Sequence, residues 1–172
     1  MDYFILKKDK RLSGVAEPTN LGCLVNKSRD ELDKAPALSS YLKWSGKAYP
    51  DYIDYPVMLV SEKIKNIMEK YQGDAYFKTV VLIEKENNRQ LIYYHIRPPL
   101  IDCIAKEPGC GKETKEITLD RVKVGNARIF SAKEKTNDLF VRLDVAESIL
   151  RREPDGICFE KVEVINKQEY EI

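Results

Sequence analysis

His95 is the only histidine in the chain, and it stands in the alternating run Gln90-Leu91-Ile92-Tyr93-Tyr94-His95-Ile96. The period of two sets it on the opposite strand face from Tyr94 and Ile96. An imidazole acts as a general base where a substrate and an orienting partner are within reach, and the sequence supplies no recognisable partner. A structural or surface histidine is therefore the reading taken for His95. Four cysteines, Cys23, Cys103, Cys110 and Cys158, are too far apart for the paired spacing of a zinc knuckle, so no metal and no cofactor is expected. Cys23, Cys103 and Cys158 lie among apolar residues and are expected to pack as small hydrophobes. Cys110, between Gly109 and Gly111, is the thiol expected to be exposed. Gly109-Cys110-Gly111-Lys112 has the glycines and lysine of a phosphate-binding loop but fails its pattern twice. The first glycine of that motif falls on Lys106, and the Ser or Thr after the lysine is Glu113. GxSxG, HExxH and GxGxxG elements are absent from the sequence. A catalytic reading is left with His95 or Cys110 in a small enzyme of unrecognised type.

The elements that would position these residues belong to an ordinary globular chain. Its 172 residues, 43% hydrophobic and 33% charged, are enough to bury a core in one domain spanning 1–172 without disulfide or metal staples. A formal net charge of +1 gives the whole molecule no strong attraction for nucleic acid or anionic membranes. The longest apolar run, Val80-Val81-Leu82-Ile83, is strand-sized and far short of a membrane span. Met1-Asp2-Tyr3-Phe4-Ile5-Leu6-Lys7-Lys8 reverses the order of a secretion signal, so a cytoplasmic location is expected.

The most informative pattern is a repeat at an offset of 82 residues, which aligns 57–83 with 139–165 without a gap. Ile67 matches Ile149, Phe77 matches Phe159, Val80 matches Val162 and Ile83 matches Ile165. Each copy has the form of a strand, a helix and a strand: an apolar run, an N-cap, apolar residues at helical spacing, a glycine stop and an alternating run. Ser61 precedes the stripe Ile64, Ile67, Met68 and Tyr71. Asp144, with Glu147 three residues on, has the form of a capping box. The crossovers are long enough for parallel pairing of the two strands, and antiparallel pairing is also open. Such units are common enough for coincidence; the alternative is two similar units packed about a shared core.

Between the copies, Asn87-Asn88 marks a hairpin turn into the strand that carries His95. Leu100 to Ile104, Arg121 to Val124 and Ala127 to Phe130 have strand character, whereas 106–116 is polar and glycine-containing, like a loop. The expected fold class is α+β, a mixed sheet of roughly seven or eight strands with few helices. Residues 1–56 are less regular. Tyr3 to Leu6 and Leu21 to Val25 suggest short strands, and Asp30 to Trp44 a helix broken at Pro36.

Candidate contact residues come from charge and aromatics. Residues 106–135 carry a net +3, which includes Lys112 and Lys115, and 142–172 a net −3. Such unevenness serves a solvated surface or speeds encounter with a charged partner. Trp44, Tyr49, Tyr52 and Tyr55 crowd into twelve positions, as interface anchors or as residues packed on the sheet.

The second copy, with Ala127-Arg128-Ile129-Phe130 before it, resembles the C-terminal signature of a bacterial family of immunity proteins from polymorphic-toxin systems. The similarity extends backward over 57–83, 91–103 and 128–164: a strand with a serine-capped helix, a tyrosine-rich strand leading to Ile101-Asp102-Cys103, the Ile129-Phe130 pair, and a closing Gly156-Ile157-Cys158-Phe159-Glu160-Lys161-Val162. The resemblance implies a cytosolic, non-catalytic protein that sequesters the active domain of a toxin encoded nearby. The loop 106–116 departs from the family pattern. Readings from other classes are the small enzyme named above and a scaffold domain that self-associates. The sequence leaves oligomeric state open.

Overall fold

The computed structural model describes residues 1–15, 17–25, 27–34, 37–43, 48–105 and 117–166. Lys106 to Glu116 and Trp44 lie outside them, and with these the candidates Cys110, Lys112 and Lys115. In chain order the elements are β1 (Tyr3–Lys8), a 3-10 turn (Leu21–Leu24), α1 (Arg29–Asp33), β2 (Leu38–Tyr41), β3 (Tyr52–Ile53) and β4 (Leu59–Ser61). There follow α2 (Glu62–Tyr71), β5 (Tyr76–Glu84), β6 (Arg89–Arg97), β7 (Leu100–Ile101) and β8 (Thr118–Asp120). The last are α3 (Arg121–Val124), β9 (Ile129–Ala132), β10 (Lys135–Arg142), α4 (Leu143–Leu150) and β11 (Ile157–Ile165). No helix among the described residues is long and apolar enough to cross a membrane.

The fold is α+β, but the strands form two mixed sheets instead of one. A six-stranded sheet runs β7-β9-β10-β1-β11-β8 and a five-stranded sheet runs β2-β5-β6-β4-β3. Alternation explains how each sheet serves two cores. Phe4 and Leu6 of β1, Tyr94 and Ile96 of β6, and Leu139 and Val141 of β10 face inward to a core shared by both sheets. There Ile64, Ile67 and Met68 of α2 meet Val145, Ala146 and Ile149 of α4, and the Tyr71 hydroxyl lies 2.6 Å from the Ser148 hydroxyl. The opposite faces are closed separately. Leu59, Val80, Leu82 and Tyr93 pack under Leu21, Leu24 and Leu32. Tyr3, Ile5, Phe130 and Phe140 pack under Cys103, Leu119 and Val124.

The two strand-helix-strand units occupy equivalent places. In each, the strands flanking the helix are parallel but not neighbours: β6 lies between β4 and β5, and β1 lies between β10 and β11, antiparallel to both flanks. Direct pairing across the crossover is thus corrected to pairing through an inserted strand. Val80 pairs with Tyr93 and Val162 with Tyr3, so Tyr93 to Ile96 are the counterparts of Tyr3 to Leu6. The hydroxyls agree. Tyr93 donates to Pro50 O at 2.7 Å, two residues before β3, and Tyr3 donates to Ala127 O at 2.8 Å, two residues before β9. The outer flanks agree as well, since β2 runs parallel to β5 and β8 parallel to β11.

Several local expectations give way to longer-range contacts. Asp144 does not cap α4. The helix starts two residues earlier, with Arg142 at the cap position, and the Asp144 carboxylate takes the Arg142 guanidinium at 2.6 and 2.8 Å. Ser61 does cap α2, accepting from Ile64 N at 3.4 Å. Arg121 to Val124 is a helical turn instead of a strand, because Asp120 accepts from Val122 N at 2.9 Å. Leu21 to Leu24 is a 3-10 turn entered through Asn20 in the left-handed region, not a strand. The expected helix over 30–44 stops at Asp33, and Leu38–Tyr41 is an edge strand beside β5.

Candidate functional site

His95 sits on the outer face of β6 at 4% exposure, beside a cleft of about 300 Å³ lined by Val57, Met58, Pro98 and Leu100. One ring nitrogen, Nδ1, is 3.1 Å from Met58 O, and a carbonyl only accepts, so Nδ1 carries the proton. The other, Nε2, accepts from Arg97 Nε at 3.2 Å. The same guanidinium donates to Leu24 O at 2.8 Å and to Lys27 O, which ties β6 to the segment covering the five-stranded sheet. Both nitrogens are spent on the fold, which leaves neither lone pair nor proton for a substrate. Burial pulls the pKa of His95 below the ordinary histidine value, and the Arg97 charge pulls the same way against the Met58 hydrogen bond.

The native state holds the ring neutral, so this group costs no stability above the unfolded-state pKa near 6.5. Stability is lost as pH falls below that value, and the loss levels off beneath the lowered native pKa. Urea unfolding at pH 7.5 and 5.0 should therefore show a smaller acid loss in His95→Gln, whose amide serves both partners without titrating. Equal losses in the two proteins would refute the assignment.

The thiols are also placed by packing. Cys103 is fully buried, and burial raises its pKa to about 11. Cys158 is half-buried with its thiol 3.6 Å from Lys8 O. Cys23 is exposed, contrary to the expectation from its apolar neighbours, because the 3-10 turn points Leu21 and Leu24 inward and Cys23 out. Among the described residues there is no cluster of His, Cys, Asp or Glu suited to a metal ion.

The described tyrosines of the aromatic segment are dispersed. Tyr52 is in the shared core, where burial raises its pKa, and is no surface anchor. Tyr49 donates to Glu84 Oε1 at 2.7 Å and lies under the Arg89 guanidinium, so it braces the outer face. Tyr55 is 80% exposed and lines a cleft with Lys8, Glu17 and Lys43. Asp51, between these tyrosines, joins the units: it accepts from Ser61 Oγ at 2.5 Å and Asp155 N at 2.8 Å, and pairs with Lys63 at 2.7 Å.

An exposed apolar face, absent from the expectations above, lies on the inner side of the five-stranded sheet beyond α2. Pairing brings Ser39, Val81 and Ile92 into one row and Tyr41, Ile83 and Gln90 into the next. Ile92 is 56% exposed and Tyr41 46%. Three equivalent positions of the other unit are charged where these are apolar, Thr79 also has a charged counterpart there, and Ile83 keeps an apolar one in Ile165. Asp2 stands for Ile92, Glu163 for Val81, Lys161 for Thr79 and Asp120 for Tyr41. There Lys161 pairs with Asp2 at 3.4 Å, and Thr118 donates to Glu163 at 3.3 Å. The alternating pattern of β5 and β6 was visible in sequence, but not which of their inner residues α2 leaves uncovered.

No family model matches the chain, and no curated protein matches it.

Proposed function

We propose that the chain is a non-catalytic, cytoplasmic binding protein of the immunity type, which neutralises a bacterial toxin domain encoded nearby by covering its active surface. One observation carries this: two equivalent sheet faces are treated differently, one solvated by paired charges and the other left apolar around Ile92, Val81 and Tyr41. An apolar strip exposed where the same architecture elsewhere places Asp, Glu and Lys is a contact surface for another protein. The spent ring nitrogens of His95 agree with a role in binding instead of catalysis.

The test is growth rescue. Cells expressing the neighbouring gene's product should grow when this chain is co-expressed, and the two proteins should co-purify as a 1:1 complex. His95→Gln and Cys110→Ser should rescue as well as the wild type. Loss of rescue in either variant, with the protein folded and abundant, would move the reading to an enzyme.

A further inference from the structure

We infer that the apolar face of β2, β5 and β6 docks a carboxylate-bearing surface of the partner protein, an inference that rests on the immunity reading above. The centre of the face is hydrophobic, with Val81 and Ile83 beside the more exposed Ile92 and Tyr41. Its two ends are cationic. Lys85 Nζ lies 4.1 Å from the Tyr41 ring centroid, and Lys65 Nζ lies 5.0 Å from that of Tyr94 and 5.7 Å from that of Phe77. Glu69 holds Lys65 in place at 2.6 Å, so the stronger unmatched charge is at the Lys85 end. The inward positions of the three strands beyond the shared core, from Ser39 to Ile92, contain no carboxylate, whereas their counterparts in the other unit include Asp2, Asp120 and Glu163.

This pattern discriminates between occupants. A second copy of the chain, apposed through the same face, would set lysine against lysine with no strand carboxylate to receive either. A partner presenting an apolar patch with acidic side chains opposite Lys85 matches both the centre and the rim. The arrangement also separates two contributions: Ile92 supplies desolvated area and governs dissociation, and Lys85 supplies a rim charge that governs encounter and salt dependence.

The experiment titrates the purified chain with the toxin domain that it rescues against, at two salt concentrations, with chain variants whose folding is checked by urea melting. Ile92→Glu should weaken the complex by about 100-fold, as removal of a central anchor does. Lys85→Glu should weaken it by roughly tenfold and flatten its salt dependence. Glu163→Gln, on the equivalent face of the other unit, should change it less than about twofold, as an exposed substitution remote from the contact does. A complex that is indifferent to Ile92→Glu would overturn the docking face and leave the immunity reading standing. A complex broken by Ile92→Glu but unchanged or tightened by Lys85→Glu would overturn the acidic partner alone. Self-association of the wild type that Ile92→Glu abolishes would make the face a homodimer contact and overturn the inference. No rescue and no complex with any neighbouring product would overturn the immunity reading, and this inference with it.

Discussion

A chain lacking residues 1–8 is expected to lose cooperative unfolding altogether. β1 is the central strand of the six-stranded sheet, hydrogen-bonded to β10 from Tyr3 to Leu6 on one side and to β11 from Tyr3 to Lys8 on the other. Its removal leaves two parallel strands with open edges and a gap where a strand stood. It also takes Leu6 and Phe4 from the shared core, and Tyr3 and Ile5 from the outer core of that sheet. Each such side chain is worth about 2–5 kcal/mol when cut back to alanine, so four together exceed the ~5–15 kcal/mol that stabilises a typical domain. The measurement is near-ultraviolet circular dichroism with urea unfolding. Leu6→Ala, as a graded control, should still unfold cooperatively with a loss of about 2–5 kcal/mol. A truncated chain with a sharp, wild-type-like transition would show that the six-stranded sheet stands without β1.

Gly156→Ala is the second large effect. Gly156 has φ +68, a backbone conformation that L side chains adopt at a cost of about 1–2 kcal/mol. An alanine Cβ would also sit 2.7 Å from both Leu12 Cδ2 and Pro50 Cβ, and relieving such overpacking costs about 1–3 kcal/mol. Pro50 cannot swing aside, since its own carbonyl holds the Tyr93 hydroxyl and the next residue, Asp51, donates its N–H to Asp155 O and accepts from Asp155 N on its carboxylate. The two costs sum to about 2–5 kcal/mol of lost stability, read from the midpoint of urea unfolding. Gly73→Ala, whose added Cβ meets nothing within 4 Å, should shift stability by less than about 0.5 kcal/mol. Equal effects at the two sites would remove the steric argument.

Much of the architecture was legible in the residues. The stripe Ile64, Ile67, Met68 and Tyr71 with Ser61 before it is α2, and Asn88, in the left-handed region, closes the β5–β6 hairpin. The repeat 57–83 and 139–165 marks two units of the same topology around a shared core. These features depend on spacing and capping within a few residues, so the sequence alone carries them.

What it could not carry is who lies beside whom. Leu38-Ser39-Ser40-Tyr41 has a weak strand pattern and is a strand because β5 offers it a parallel edge and the Ser40 hydroxyl reaches Thr19 O. Asp144 was a plausible cap until Arg142, held at the sheet end, claimed its carboxylate. The candidate contact residues divided in the same way: Tyr52 went to the core and Tyr49 to Glu84, while Tyr55 stayed in solvent. Ile92, not singled out by its sequence, became the centre of the candidate face only because the folded chain leaves it exposed. The sequence by itself therefore determined the strands and helices of the two repeat units, since periodicity and caps act over one or two turns. Tertiary structure alone decided the split into two sheets, the insertion of β1 between β10 and β11, and the exposure of the apolar face around Ile92. Strand neighbours and burial are set by contacts between residues far apart in the chain, which no local pattern specifies.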